Sequence, residues 1–92
     1  LKLLALKYTG KIKKDLKLCQ KRGLDLRLLE KVIDTLRIPE PLSARNREHD
    51  LRGEYTVFKE CHIAPDWLLI YRYNDGYLEL IRTGTHSDLF KK

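Results

Sequence analysis

Trp67-Leu68-Leu69-Ile70-Tyr71-Arg72-Tyr73-Asn74-Asp75-Gly76-Tyr77-Leu78-Glu79-Leu80-Ile81-Arg82-Thr83 is the stretch that decides the fold. Trp67 to Tyr73 is a mostly apolar run, and Tyr77 to Thr83 follows it across Asn74-Asp75-Gly76, so the pair predicts a β-hairpin. The triplet suits a three-residue turn with glycine in the left-handed position. That turn sets Leu68 opposite Arg82 and Ile70 opposite Leu80, and by the period of two Asp66 then shares a face with Arg82. A two-residue Asp75-Gly76 turn instead shifts the register by one.

Upstream, Tyr55 to Ile63 is rich in β-formers and predicts a third strand, while the short apolar run Leu1 to Tyr8 predicts the first. Thr9 is placed to cap a helix in which Ile12, Leu16 and Cys19 fall at i, i+4 and i+7, with Lys13, Lys14, Lys17 and Lys21 pointing elsewhere. Gly23 ends that helix. Asp25 can cap the next, whose Leu26, Leu29, Ile33 and Leu36 form a second stripe before Pro39 and Pro41 stop it. Two helices joined by a few residues predict an antiparallel hairpin. Residues 39–53 are polar and irregular, a loop of a length that often carries function. The expectation is one α+β domain over residues 1–92: a helical hairpin packed on a mostly antiparallel sheet, in the order β-α-α-β-β-β.

Ninety-two residues suffice for a single core and not for two, and 42% apolar with 35% charged content excludes wholesale disorder. No apolar stretch approaches the roughly 20 residues of a membrane span, and there is no secretory signal pattern, so the chain reads as soluble and cytoplasmic. Cys19 and Cys61 form no C-x-x-C and read as reduced, half-buried thiols. The net charge is +6. Residues 1–48 carry thirteen Lys/Arg against six acids, and residues 49–92 carry six against seven. A polyanionic partner is therefore expected on the first half, along the helix with Lys13, Lys14 and Lys17, unless these lysines only solvate it.

The chemistry-bearing residues lie in the second half. His49, His62 and His86 are the only histidines, each with a carboxylate nearby, and histidine both takes and gives a proton near neutral pH. Their spacings of thirteen and twenty-four residues match no short zinc motif, so no metal is assigned, although three histidines with Asp66 or Cys61 are ligands in principle. Metal-free RNA cleavage needs a base, an acid and a cation. Histidines with Asp66 supply the first two, Arg82 the third with its planar fork, and Trp67 and Phe90 can stack bases. Each residue also has a structural reading: a surface or hydrogen-bonded histidine, Trp67 as core, Phe90 at the sheet edge, Asp66 in a turn, Arg82 paired with Glu79 or Asp66.

The segments His49-Asp50-Leu51-Arg52-Gly53, Phe58-Lys59-Glu60-Cys61-His62-Ile63-Ala64-Pro65-Asp66-Trp67 and Arg82-Thr83-Gly84-Thr85-His86-Ser87-Asp88-Leu89-Phe90 resemble the YafQ branch of the RelE/ParE toxin superfamily. The resemblance runs through essentially the whole chain. It implies a microbial-RNase-like fold and the toxin of a bacterial type II toxin–antitoxin pair: a metal-independent, ribosome-dependent mRNA endonuclease that needs no cofactor. Its implied partners are the ribosome, mRNA and a DinJ/RelB-like antitoxin, the toxin being a monomer alone and a heterotetramer with antitoxin. The family's acid–base histidines fall on His49, His62 and His86, its carboxylate on Asp66 and its phosphate-steadying arginine on Arg82. Trp67 and Phe90 match positions affecting substrate engagement. Within this set His86 is assigned as general acid and His49 as base, with His62 and Asp66 in support. The alternatives are a non-catalytic basic binding module with structural histidines, and a gyrase-directed toxin of the same fold, a branch not expected to hold this histidine set.

Overall fold

The computed structural model describes residues 3–38 and 58–90. Within them the elements run β1 (Ala5–Tyr8), α1 (Gly10–Lys21), α2 (Leu26–Leu36), β2 (Lys59–Ala64), β3 (Trp67–Asn74), β4 (Tyr77–Gly84) and α3 (His86–Phe90). The sheet order is β1-β4-β3-β2, with β1 parallel to β4 and the other two pairings antiparallel. The α+β class and the element order match the sequence expectation, with the short α3 as an addition. The 39–53 loop, the Pro39/Pro41 stop and the Tyr55–Val57 part of the third strand lie outside the described residues. So does His49.

The hairpin turn differs from the three-residue form. Asn74 pairs with Tyr77, leaving Asp75-Gly76 as a two-residue turn in which both residues have positive φ, 52° and 78°. Such a turn carries a twist that matches the flanking strands, whereas the three-residue form adds a bulge at the turn itself. The ladder then runs Tyr73↔Leu78, Arg72↔Glu79 and Tyr71↔Leu80, and Ile81 is skipped before Ile70↔Arg82 and Leu69↔Thr83. The skipped residue re-aims the end of β4. Leu68 therefore faces Gly84 rather than Arg82. Asp66 stays outside the ladder, in the Pro65-Asp66 turn that joins β2 to β3.

Both helices bury their stripes on one sheet face. Ile12 and Cys19 of α1 and Leu29 and Ile33 of α2 join Trp67, Leu69, Tyr71, Leu78 and Leu80 in one cluster, with Leu16, Leu26 and Leu36 packed against it. Gly23, at φ 77°, closes α1: its N–H reaches Gln20 O at 3.0 Å and Leu24 N–H reaches Cys19 O at 3.1 Å. Asp25 caps α2 by accepting from Arg27 N–H at 3.0 Å. Thr9 stands at the α1 N-cap without capping it. Its hydroxyl lies 3.1 Å from both Leu80 O and Ile81 O, so it ties the start of α1 to the β4 bulge. The end of α2 is stapled to the sheet by Leu4 N–H to Arg37 O at 2.9 Å and Tyr73 Oη–H to Leu36 O at 2.8 Å. Among the described residues no helix is long and apolar enough to cross a membrane.

Leu69 has no exposed surface and lies at the centre of the face that both helices cover. Leu69→Ala should lower unfolding free energy by about 2–5 kcal/mol in a denaturant titration, whereas Leu18→Ala, at a side chain 39% exposed, should change it by less than about 0.5 kcal/mol.

Candidate active site

The predicted site residues gather where β2 turns into β3 and β4 runs into α3. Pro65-Asp66 is the tight connection between the paired ends Ala64 and Trp67. Trp67 fixes that connection from below: it is 3% exposed, and its Nε1–H donates to Thr83 Oγ1 at 2.9 Å, whose own hydroxyl donates to Leu68 O at 2.7 Å. The ring is core, so it does not offer a face to an exposed base. Burial of its large apolar surface, with the indole N–H satisfied, decides this residue for the structural alternative.

Asp66 projects outward with 67% of its side chain exposed. Its Oδ1 accepts from His86 backbone N–H at 3.2 Å and contacts His86 Nδ1 at 2.7 Å. These bonds from His86, side chain first, hold the Asp66 carboxyl below its ordinary value. An ionised carboxylate only accepts, so Nδ1 is the protonated ring nitrogen, and Nε2 is left to accept a proton when the ring is neutral or donate one when it is charged. The His62 ring centroid lies 5.9 Å from that of His86, and the centroid of Phe90, the last residue of α3, lies 6.4 Å away. Phe90 is 45% exposed. The structure thus brings His62, Asp66, His86 and Phe90 together on an open surface.

Arg82 is turned to α1 instead of to Asp66 or Glu79. Its Nε donates to Asp15 Oδ2 at 2.6 Å and its Nη2 to Asp15 Oδ1 at 3.2 Å, while Thr83 N–H donates to the same Oδ2 at 3.1 Å. Two of the five guanidinium N–H donors are used in this fork. Glu79, 4% exposed, is taken by Arg72 and Asn74. Asp15 was not among the predicted site residues, although it is the only acid in a helix otherwise lined with lysines. Lys13, Lys14 and Lys17 are exposed along that helix.

Beyond Gly84, α3 is held by a reciprocal cap. Thr85 Oγ1 accepts from Asp88 N–H at 3.1 Å, and Asp88 Oδ2 accepts from Thr85 N–H at 3.0 Å. The Asp88 carboxylate also takes Arg22 Nη1 at 2.6 Å and Nη2 at 3.0 Å. Among the described residues no group of three or more His, Cys, Asp or Glu side chains converges as a metal site. Cys19 and Cys61 are free thiols, both raised in pKa chiefly by burial.

A family model described as the bacterial toxin of type II toxin-antitoxin system, YafQ, matches residues 4–91 of the chain. The chain belongs to this YafQ toxin family. The mRNA interferase toxin YafQ of Escherichia coli K12 is 42% identical over 87 residues, which cover 92% of this chain and 94% of that protein. The crystal structure of the E. coli DinJ-YafQ toxin-antitoxin complex is similar with TM-score 0.73 and 34% identity, over 97% of this chain and 99% of that one. A metal-bound toxin from Helicobacter pylori is similar with TM-score 0.76 and 38% identity, over 96% of this chain and 100% of that one. In this YafQ-family chain, His62, Asp66 and Phe90 are the motif residues that the fold assembles around His86.

Asp15→Ala should destabilise the chain by about 3 kcal/mol, because it strands both the half-buried Arg82 guanidinium and the Thr83 N–H. An Asp15→Leu/Arg82→Met double variant should recover part of that loss in the same denaturant titration. Asp88, whose carboxyl is held well below the usual carboxylate range by Arg22 and then by Thr85, adds a pH dependence. Its folded value is depressed, so its stabilisation is complete above about pH 5 and is lost as pH falls below its unfolded value of roughly 3.9. The acid limb of the stability curve should flatten in Asp88→Asn.

Proposed function

We propose that the chain is the toxin of a type II toxin–antitoxin pair, an mRNA interferase that cuts ribosome-engaged mRNA by acid–base chemistry without a metal. The observation that carries this reading is the His86 imidazole held through Nδ1 by Asp66 at 2.7 Å, with the His62 ring 5.9 Å away. In the proposed step a base takes the 2′-hydroxyl proton as that oxygen attacks phosphorus. The P–O5′ bond breaks, and an acid protonates the departing O5′. The products are a 2′,3′-cyclic phosphate and a 5′-hydroxyl. His86, orientated by Asp66, gives the proton through Nε2. His62 beside it supports the developing charge, and His49, one of the acid–base histidines that the family resemblance implies and outside the described residues, is assigned the base role.

The other groups have supporting parts. Phe90 offers an exposed ring beside His86 for stacking on a base. Arg82 keeps N–H donors beyond its Asp15 fork for phosphate. Lys13, Lys14 and Lys17 meet polyanionic RNA through phosphate contacts that carry no sequence information. The inhibitory partner is a DinJ-like antitoxin, as in the solved E. coli complex. The likeness to a metal-bound H. pylori toxin makes chelation the informative control.

His86→Ala should abolish toxicity in cells and slow cleavage by roughly 10²–10⁴-fold, the loss expected of an acid or base. Wild-type cleavage should survive EDTA and leave 2′,3′-cyclic phosphate or 3′-phosphate with 5′-hydroxyl ends on translated mRNA. A fully toxic His86→Ala variant, or activity lost to EDTA and restored by zinc, would overturn the reading.

A further inference from the structure

His86 is the first residue of a five-residue helix, too short to hold its shape by backbone bonding alone. What holds it is Asp88. That one carboxylate accepts from the Thr85 N–H inside the helix cap and from both Nη atoms of Arg22 at the end of α1. It also rests on Gly84, where a Cβ would come within 2.9 Å of Asp88 Oδ2. The chain from α1 to the imidazole is therefore continuous: Arg22 to Asp88, Asp88 to Thr85, and Thr85 to the neighbouring His86, whose own N–H and ring meet Asp66.

We propose that Arg22 and Asp88 are positioning residues for His86, their bridge from α1 to α3 setting where the imidazole stands against Asp66. The proposal rests on the reading of His86 as a proton-transfer residue. The bridge is partly screened by solvent, with the Arg22 side chain 40% exposed and Asp88's 19%, and the Thr85 N–H still holds Asp88 when Arg22 is removed. Its value lies in placement, since an error of about 1 Å at a catalytic group can cost as much as 10²-fold in rate. Arg22→Ala is the clean variant, because it removes the bridge and leaves the Thr85–Asp88 cap in place.

The test joins a rate to a signal that does not depend on cleavage. Arg22→Ala should lower kcat for ribosome-bound mRNA by roughly tenfold with KM within about twofold, a loss inside the range for a misplaced group. Its melting temperature should stay near wild type. The Asp66 carboxyl, followed by ¹³C NMR, should rise towards its ordinary pKa as its His86 contacts loosen, and Arg22→Lys should restore part of both effects. Arg22→Ala with Asp66 titrating as in wild type overturns the proposal whatever its rate, since a cation lost from an RNA-facing helix can slow cleavage by another route. Failure of the proton-transfer reading is distinguishable: His86→Ala would then cleave at the wild-type rate, while the Asp66 titration in Arg22→Ala still decides whether the bridge places the imidazole.

Discussion

The pairing of β3 with β4 is the constraint on which the rest of the structure depends. Its two-residue turn, with Asp75 and Gly76 both at positive φ, sets a register that sends Leu69, Tyr71, Leu78 and Leu80 to the face covered by the helices. The skipped Ile81 then changes the direction of β4 before it ends. Two contacts flank that bulge. The Leu80 and Ile81 carbonyls turn to Thr9 and tie the start of α1 to the sheet, and Arg82 comes within reach of Asp15. The same ladder that organises the core thus delivers His86 beside the Pro65-Asp66 turn.

Helix α1 divides its residues three ways. Ile12, Leu16 and Cys19 face the core, the lysines face solvent, and Asp15 and Arg22 grip the end of β4 and α3. The two grips differ in environment. Asp15–Arg82 is largely shielded and also satisfies a backbone N–H, so breaking it leaves charge and donor stranded. Arg22–Asp88 is more open and does its work through geometry. His62 and His86 are exposed on an anchored frame: Trp67 is bonded to Thr83 beneath the turn, while Asp66 beside it remains in solvent.

Much was legible in the chain alone. The apolar periods at Ile12/Leu16/Cys19 and Leu26/Leu29/Ile33 define helix faces because helical neighbours three and four apart share one side, and the β-rich runs around Asp75-Gly76 define a hairpin. Gly23 and Asp25 marked helix ends through local chemistry that needs no tertiary partner. The motif around Pro65-Asp66 and Thr85-His86 named the residues that the fold brings together.

Other outcomes depended on which group came closest in space. Whether Trp67 stacks or packs is a question of burial, and periodicity is silent on it because a strand-opening aromatic suits either. The sequence offered Arg82 two carboxylates, Glu79 and Asp66, and the fold gave it a third, Asp15, sixty-seven positions away. The turn length, a difference of one residue, moved the whole hairpin register, since local propensity barely separates the two forms and packing of the strand faces decides between them. The sequence by itself determined the elements and the identity of the chemical groups, because both are written in short-range pattern. Tertiary structure decided the pairings, because a charge or a hydroxyl takes the partner that the folded backbone sets beside it.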